Sequence, residues 1–267
     1  MNDQQFQKFI IDQGLRLYRD MPWRRDTRPY YILVSELMLQ QTQVSRVVPK
    51  FEAFIEAFPD IQSLAQASLG DVLRLWSGLG YNRRAKYLHQ AAQMIIMEHD
   101  GAFPVKQALL QALPGVGKNT AGAIAAYAFN QPVLFVETNV RAVYIYHFFE
   151  TAKKVNDAQI IERLATTYDE VNSRVFYWAL MDYGSDLKRQ GKVTAAKSKH
   201  YKKQAPLRGS IREIRGQILK VLSQSDTTSN GIRQLVTHDE RFQSALDGLH
   251  SDGLIAKTHD DVWHLTK

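Results

Sequence analysis

The stretch Leu113-Pro-Gly-Val-Gly-Lys-Asn-Thr-Ala-Gly-Ala-Ile124 decides the fold, because it places a proline and two glycines between two segments with helical patterning. Gly115 and Gly117 permit left-handed backbone angles and a close approach of another surface. The first N–H groups of the following helix then point outward without intrahelical partners. Since Lys118 and Thr120 follow at once, we predict that this turn binds a phosphate. The alternative is an ordinary interhelical turn that ends at a glycine.

Composition limits the class of protein. A chain of 267 residues with 45% hydrophobic content can bury a full core. Lys and Arg outnumber Asp and Glu by 34 to 27, and the pI near 9.4 favours a polyanionic partner. The absence of cysteine excludes disulfides, thiolate zinc sites and cysteine-ligated iron–sulfur clusters. No apolar run has the length of a signal or a membrane span, so we expect a cytoplasmic, nucleoid-associated protein without a membrane partner.

Helical periodicity dominates from Phe6 to Ala179, with short Pro, Gly and Asp interruptions and no convincing alternation. The pattern predicts an all-α body. The predicted helices are 4–19, 29–40, 44–58, 61–67, 69–75, 82–99, 105–111, 117–129, 139–150, 156–169 and 173–185.

Glu36 is the first chemically interesting group, because its neighbours in YYILVSELML are apolar or aromatic except for one serine. Desolvation there would raise the pKa of the carboxyl group and make it a candidate proton donor near neutral pH. The alternative is a structural pair with an arginine, for which Arg24, Arg25 or Arg46 could serve. The amides of residues 40–43, which follow, can reach base edges, or they form a polar loop.

The glycine turn in residues 76–85 joins an aromatic side chain to two guanidinium groups. Tyr81 on such a turn can wedge between bases, while Arg83 and Arg84 bind phosphates. Equally, Tyr81 could cap a core and the arginines could be solvated.

Glu137 ends an apolar segment, residues 132–136, at the point where a helix should begin. The positive end of that helix favours the ionised carboxylate, opposite to the environment of Glu36. Two carboxyl groups with separated pKa values form the acid and anion pair used to cleave glycosidic bonds. Simple stabilisation of the helix N-terminus is the alternative role for Glu137.

Four motifs together resemble a known family. SELMLQQTQV, LWSGLGYNRRAKYL, LPGVGKNTAGAI and FVETNVRAV follow the order and approximate spacing of the helix-hairpin-helix DNA glycosylase superfamily, and most resemble its adenine mismatch (MutY-type) branch. The resemblance covers roughly residues 20–185. It implies a two-lobed all-α body that holds double-stranded DNA in a cleft and flips the target nucleotide into a pocket between the lobes. Relatives often hold a monovalent cation, Na⁺ or K⁺, on hairpin carbonyls, here near Leu113 and Val116.

The resemblance also implies roles for single residues. Glu36 matches the acid that protonates the adenine ring. Glu137 stands where the family has an aspartate that stabilises the sugar cation, and Asn139 matches a nearby asparagine. Gln41 and Tyr81 match residues that invade the base stack. The further residues expected in the base pocket are Arg24, Gln40 and Asn119, and those expected on phosphates are Gly115, Gly117, Lys118, Thr120, Arg83 and Arg84.

Two positions of the motifs bear on the reaction that the resemblance implies. At Asn119 the lyase-competent relatives have a lysine that forms a Schiff base, so we expect a monofunctional enzyme that uses water. Lys118 lies about 100° away around the helix and faces phosphate instead. At Glu137 the extra methylene, relative to aspartate, shifts the carboxylate by about 1 Å, which can cost on the order of 10²-fold in rate.

A basic segment, residues 187–209, stands where the family commonly has a four-cysteine iron–sulfur loop. From Leu187 to Gly216 ten residues are Lys or Arg and one is acidic, an excess of nine that exceeds the net charge of +7. We hypothesise that this segment, with Lys199, Lys202 and Lys203, takes over the electrostatic role of that loop on DNA. A flexible charged linker is the alternative.

Residues 210–267 take the place of the domain with which adenine mismatch enzymes recognise 8-oxoguanine. Three predicted helices followed by a β-hairpin resemble a winged helix. Its third helix region is acidic, with Asp239, Glu240, Asp247 and Asp252, so we expect a packing or protein-partner module and not a second DNA reader. The predicted domains are therefore a glycosylase body (1–186), a basic linker (187–209) and this module.

The sequence thus predicts a monomeric, monofunctional DNA glycosylase of base excision repair, with adenine opposite guanine or 8-oxoguanine as its target. A thymine, uracil or damaged-base glycosylase is one alternative. A catalytically silent binder of distorted DNA is another. None of the histidines has zinc-like spacing and no G-x-x-x-x-G-K-[ST] loop is present, so we expect no zinc, ATP or other cofactor beyond the hairpin cation.

Overall fold

Helices form nearly all the regular structure of the computed structural model, which describes residues 1–193, 197–199 and 205–267. Each predicted helix has a counterpart, and the all-α prediction for the body is confirmed. The short helix α2 was not predicted. The helices of the first 193 residues are α1 (Asp3–Arg16), α2 (Pro22–Arg25), α3 (Pro29–Leu39), α4 (Val44–Ala57), α5 (Ile61–Gln66), α6 (Leu69–Trp76), α7 (Arg83–His99), α8 (Gln107–Ala112), α9 (Lys118–Phe129), α10 (Thr138–Phe148), α11 (Asp157–Thr167) and α12 (Ser173–Arg189).

The chain divides into two compact units. Unit 1 comprises Met1–Ile32, Val105–Ala112 and Val116–Lys203. Its centre is α12, which packs against α1 and α10. Aromatic side chains fill the space between these helices, and Phe6, Tyr144 and Tyr177 are fully buried. Such rings remove large apolar areas from water, which stabilises the packing.

Unit 2 comprises Leu33–Pro104, Leu113–Gly115 and Gln204–Lys267. Here α7 packs against α5 and α6, and α4 also packs against α6. Most of α3 also lies in this unit, and it is apolar on nearly all sides, as expected for a helix that is buried all round. Leu33, Val34 and Leu37 are completely buried.

The C-terminal segment has the predicted three helices and hairpin, with one addition. A two-residue strand pairs with the hairpin and gives an antiparallel sheet of order β1-β3-β2, in which Trp263 faces Thr227 and Lys257. The segment packs on α6 within unit 2, where a Cβ on Gly70 would lie 3.3 Å from the Thr266 carbonyl oxygen. The independence of residues 210–267 as a domain stays a prediction. The elements are α13 (Ile211–Leu222), β1 (Thr227–Thr228), α14 (Ser229–Leu235), α15 (Arg241–Ser251), β2 (Ile255–Lys257) and β3 (Val262–Leu265).

Membrane insertion has no structural support in the described ranges, where every helix is too short or too polar to cross a bilayer.

Candidate active site

The two glycines of the hairpin turn differ in conformation. Gly115 has a φ of +77°, and a Cβ there would lie 2.8 Å from Tyr87 Cβ and 2.9 Å from Leu37 Cδ2. Only glycine fits that position. Gly117 has a φ of −82° and a ψ of 175°, which any residue can adopt. The left-handed conformation predicted for both glycines is therefore confirmed at Gly115 and wrong at Gly117, because Gly117 is the extended N-cap of α9.

Open space surrounds the outer side of this N-cap, since no described atom lies within 4 Å of a Cβ built on Gly117. The N-cap residue Gly117 has no side chain to bond the first N–H groups of α9, and Lys118 is exposed. The N–H groups of a helix start, the positive end of the helix dipole and a nearby ammonium group suit an anion. The arrangement is able to hold a phosphate. The roles of Lys118 and Thr120 on DNA, and the cation near Leu113 and Val116, stay predictions.

Gln40 is bonded to the same turn, because its Nε2 donates to the Gly115 carbonyl oxygen at 3.3 Å. Its neighbour Gln41 is exposed and has a left-handed φ of 57°. Such a conformation is uncommon for a residue other than glycine and often marks a functional or strained site. The predicted contacts of the two glutamines with bases stay predictions.

A cavity of about 440 Å³ lies beside the start of α9 in unit 1. Asn119, Thr120 and Val136 line it, and the side chain of Asn119 donates from Nδ2 to the Val136 carbonyl oxygen at 2.9 Å. Asn119 therefore presents a neutral amide that is bonded to the backbone just before Glu137. An amine nucleophile is absent at position 119 by the sequence itself.

Glu137 is the N-cap of α10, but its carboxylate accepts no hydrogen bond from the helix start in the described structure. The side chain is half-buried, and burial raises its pKa although Arg141 opposes the shift. Arg141 itself is held by Asp157, at 2.6 and 2.7 Å, and by the Val136 carbonyl oxygen at 3.1 Å. Burial therefore acts against the ionised form of Glu137 that the helix end was predicted to favour.

Asn139 lies in the first turn of α10. Its Nδ2 is 3.8 Å from the sulfur of Met181, and its Oδ1 is buried without a hydrogen-bond partner among the described residues. A Cβ on Gly184 would collide with the Asn139 backbone, so α12 approaches α10 closely at this point. A buried amide oxygen without a donor is costly, and such groups often serve a water or a ligand.

Glu36 lies on α3 and is half-buried. Its chain neighbours Ser35 and Leu37 are completely buried. The predicted apolar surroundings are therefore present along the helix. The role of Glu36 as a proton donor stays a prediction.

Arg24 forms an internal ion pair, contrary to its predicted place in the base pocket. Its Nη1 and Nη2 donate to the two carboxylate oxygens of Asp182 at 2.6 and 3.0 Å, and both side chains are almost completely buried. Arg19 donates to the same carboxylate at 2.5 Å. A bidentate pair of this kind uses the guanidinium and leaves it unavailable to a base.

Arg84 is also internal, contrary to the phosphate contact predicted for it. Its guanidinium donates to the carbonyl oxygens of Leu37, Met38, Gln40, Leu79 and Gly80 and to the Thr42 hydroxyl. Burial lowers its pKa to about 10. The side chain therefore joins the end of α3 to the turn that carries Tyr81.

Arg83, next to it, is 61% exposed and lies 2.6 Å from an oxygen of Asp252. The sequence predicted that Arg83 binds a phosphate, whereas in the structure Arg83 binds an acid of the C-terminal segment. Tyr81 itself is 36% exposed and has a left-handed φ of 49°. Its role as a wedge stays a prediction.

The chain matches a family of known proteins. A model of HhH-GPD superfamily base excision DNA repair proteins matches residues 34–168. The chain belongs to that superfamily. The adenine DNA glycosylase of Mycolicibacterium smegmatis is 34% identical, over 91% of this chain and 89% of that protein. The human adenine DNA glycosylase is 45% identical over 134 residues, which are 47% of this chain but 24% of the human protein. A solved thermostable thymine-DNA glycosylase matches with a TM-score of 0.63 at 26% identity, over 68% of this chain and 86% of that one.

This HhH-GPD chain departs from the iron–sulfur pattern in the basic segment. It has no cysteine to bind a cluster, and no group of His, Asp and Glu within the described ranges could hold a metal ion. Lys199 is exposed, and its backbone N–H donates to the Val155 carbonyl oxygen at 3.0 Å, which docks this part of the segment on unit 1. Lys202 and Lys203 lie outside the described residues. The predicted DNA contacts of the segment stay predictions.

Sequence reasoning missed three contacts that residues of this HhH-GPD chain make with its predicted site residues. Asp182 binds Arg24, Asp252 binds Arg83, and Arg212 donates to the Tyr81 hydroxyl. Each partner is more than 100 residues away in the chain, so no local spacing could reveal the pair. The only signal was the unexplained acid and arginine content of the predicted helix ends.

Proposed function

We propose that the protein is a DNA glycosylase that hydrolyses the N-glycosidic bond of adenine mispaired with guanine or 8-oxoguanine. The observation that carries this proposal is the similarity to an adenine DNA glycosylase over 91% of the chain. The motif residues support it, because Glu36, Glu137 and Asn139 stand at the positions that the family uses for acid, anion and amide.

Glu36 donates a proton to a ring nitrogen of adenine as the bond between the base and C1′ breaks. The departing base keeps the bonding electrons, and positive charge develops on the sugar. Glu137, as a carboxylate, stabilises that charge. Water then adds to C1′ and loses a proton to the Glu36 carboxylate, which restores the acid. General acid catalysis contributes typically 10²–10⁴-fold, and a fixed charge adds to it. With a neutral amide at Asn119, water and not an amine is the nucleophile.

Double-stranded DNA is the proposed partner. The open start of α9 binds one backbone phosphate through Gly117 and its N–H groups, while Lys118 adds charge and Thr120 adds a hydroxyl. The net charge of +7 supports this partner.

A thymine or uracil glycosylase is the second candidate. The observation that favours it is the match to a thymine-DNA glycosylase structure at 26% identity. Asn119 and Glu137 also alter the shape of the pocket in a way that suits this candidate.

The experiment incubates the protein with duplexes that contain A opposite 8-oxoguanine, A opposite G, T opposite G or U opposite G, and then cleaves abasic sites with alkali. Breaks at adenine alone support the main proposal, and breaks at pyrimidines support the second candidate. Tight binding without breaks identifies a silent binder and overturns both. Borohydride should trap no covalent protein–DNA complex, because no Schiff base forms.

A matched pair of variants tests the acid. Glu36→Gln should lose 10²–10⁴-fold in single-turnover rate while it retains DNA affinity. Glu52→Gln is the control, because Glu52 is an exposed glutamate on α4. Normal cleavage by the Glu36→Gln variant would remove Glu36 from the mechanism.

A further inference from the structure

The turn that presents Tyr81 is conformationally unusual. Gly78, Gly80 and Tyr81 all have left-handed φ angles, of 93°, 73° and 49°. Glycine adopts this region freely, but tyrosine does so only where its surroundings hold it there. The side chain of Tyr81 must therefore be fixed by contacts beyond its own turn.

Arg84 fixes the turn from within. Its backbone N–H donates to the Tyr81 carbonyl oxygen at 2.9 Å, and its guanidinium carbon lies 5.6 Å from the centre of the Tyr81 ring. Trp76 adds a bond from Nε1 to the Gly80 carbonyl oxygen at 3.2 Å. These contacts fix the backbone of the turn, but none of them bonds the hydroxyl of Tyr81.

Arg212, on α13 of the C-terminal segment, holds that hydroxyl. Its Nη1 donates to Tyr81 Oη at 2.6 Å, its Nη2 donates to the Ala205 carbonyl oxygen at 2.6 Å, and its guanidinium carbon lies 5.7 Å from the ring centre. A tyrosine bonded at its hydroxyl and flanked by two guanidinium groups has little freedom to rotate.

Further contacts anchor the C-terminal segment to α7, next to the Tyr81 turn. Asp252, whose side chain is 8% exposed, binds Arg83 at 2.6 Å and also binds Arg215 of α13. Lys86 donates to the Asp252 carbonyl oxygen at 2.6 Å. Arg83 and Lys86 lie in the first turn of α7, directly after Tyr81. One acid therefore connects α13 to the helix that follows the turn.

We infer that Arg212 is a positioning residue that holds Tyr81 ready to enter the base stack, and that the C-terminal segment serves DNA recognition through this contact. The inference rests on the proposed function and on the prediction that Tyr81 is the wedge. A side chain held in its working orientation loses less conformational entropy on binding, so stack invasion is favoured.

The experiment compares Arg212→Ala, Arg212→Lys, Tyr81→Phe and the Arg212→Ala/Tyr81→Phe double variant with the wild type. Lys220→Ala is the matched control, because Lys220 is an exposed cation on the same helix. One readout is the single-turnover rate. A second is the fluorescence of 2-aminopurine placed next to the mismatch, which rises when its stacking is disrupted. The salt dependence of DNA affinity is the third, and thermal midpoints report folding.

We expect Arg212→Ala and Tyr81→Phe each to reduce the rate and the fluorescence rise by about tenfold, the loss of one charge-assisted hydrogen bond. The double variant should be no worse than either single variant. Arg212→Lys should recover part of the loss, and Lys220→Ala should match the wild type. If Arg212→Ala fails to fold, Tyr81→Phe and Arg212→Lys carry the test.

Two results would overturn the inference. One is additive losses in the double variant. The other is an Arg212→Ala variant whose fluorescence is unchanged while its salt dependence falls by about one phosphate contact, which would make Arg212 a phosphate ligand. A wild type without cleavage would defeat the proposed function instead, and the fluorescence would still decide whether Arg212 positions Tyr81.

Discussion

Two glycine turns in this protein use similar residues for different ends. The hairpin turn, residues 113–117, and the Tyr81 turn, residues 76–81, each contain a G-x-G pattern and precede basic residues at a helix start. At the hairpin the helix start is open and Lys118 is exposed. At the Tyr81 turn the basic residues bind protein groups, since Arg84 collects carbonyl oxygens and Arg83 binds Asp252. A basic residue after a glycine turn therefore indicates an anion site only when its charged group is not already bound by other groups of the protein.

The largest expected effect lies at Arg84. Arg84→Ala removes a buried guanidinium and leaves carbonyl oxygens of Leu37 and Met38, among others, without their donor. Breaking such a buried charged network costs about 3–5 kcal/mol, so urea denaturation should show a large loss in the free energy of unfolding.

Arg83→Ala is the matched control. It removes a neighbouring arginine that is 61% exposed and has a single acid partner, so the free energy of unfolding should fall by about 1 kcal/mol or less. Equal losses for the two variants would end the distinction between the internal Arg84 and the surface Arg83.

The glycines of the hairpin should differ by a smaller margin. Gly115→Ala places a methyl group 2.8 Å from Tyr87 Cβ at a φ of +77°, so about 1–3 kcal/mol of stability should be lost. Gly117→Ala meets open space and should change the free energy of unfolding by about 1 kcal/mol or less. It should instead weaken binding to a DNA duplex, because the methyl group stands where a phosphate approaches. A stable Gly115→Ala variant would contradict the close packing of this turn.

The start of α10 offers a third test, because it resembles the start of α9 in lacking a side-chain cap among the described residues. Burial raises the pKa of Glu137, so the folded protein binds its proton more tightly than the unfolded chain does. The stability that this carboxyl group contributes is full below its unfolded pKa and falls as the pH rises through the raised value. Glu137→Gln should therefore match the wild type in thermal midpoint near pH 4 and exceed it near pH 7.5.

An unchanged or opposite pH trend would restore the prediction from sequence, in which the helix dipole keeps Glu137 ionised.

The pH dependence of the activity should also reflect the raised pKa of Glu137. Because Glu137 must be an anion to stabilise the sugar cation, the single-turnover rate should decline toward acidic pH from a higher pH than an ordinary glutamate would give.

The sequence predicted the helices, the winged-helix-like segment and the neighbourhood of Glu36 because each depends on local periodicity and turn chemistry. Gly115 was predictable for the same reason, since its position in the turn requires a left-handed residue. The partners of Arg24, Arg83 and Arg84 were not predictable from the sequence. Each depends on contacts made only after distant segments meet, and an exposed arginine and a buried one look alike in sequence.

The smallest effect separates Lys118 from Arg83 on DNA. If Lys118 contacts one phosphate, Lys118→Ala should reduce the slope of log affinity against log salt by about 0.9, with little change in stability. Arg83→Ala should leave that slope unchanged, because Arg83 is already bound to Asp252. Affinities for one mismatched duplex at four salt concentrations are sufficient to measure both slopes. A reduced slope for Arg83→Ala would mean that DNA displaces Asp252, and the Tyr81 turn would then be a phosphate site of the same kind as the hairpin.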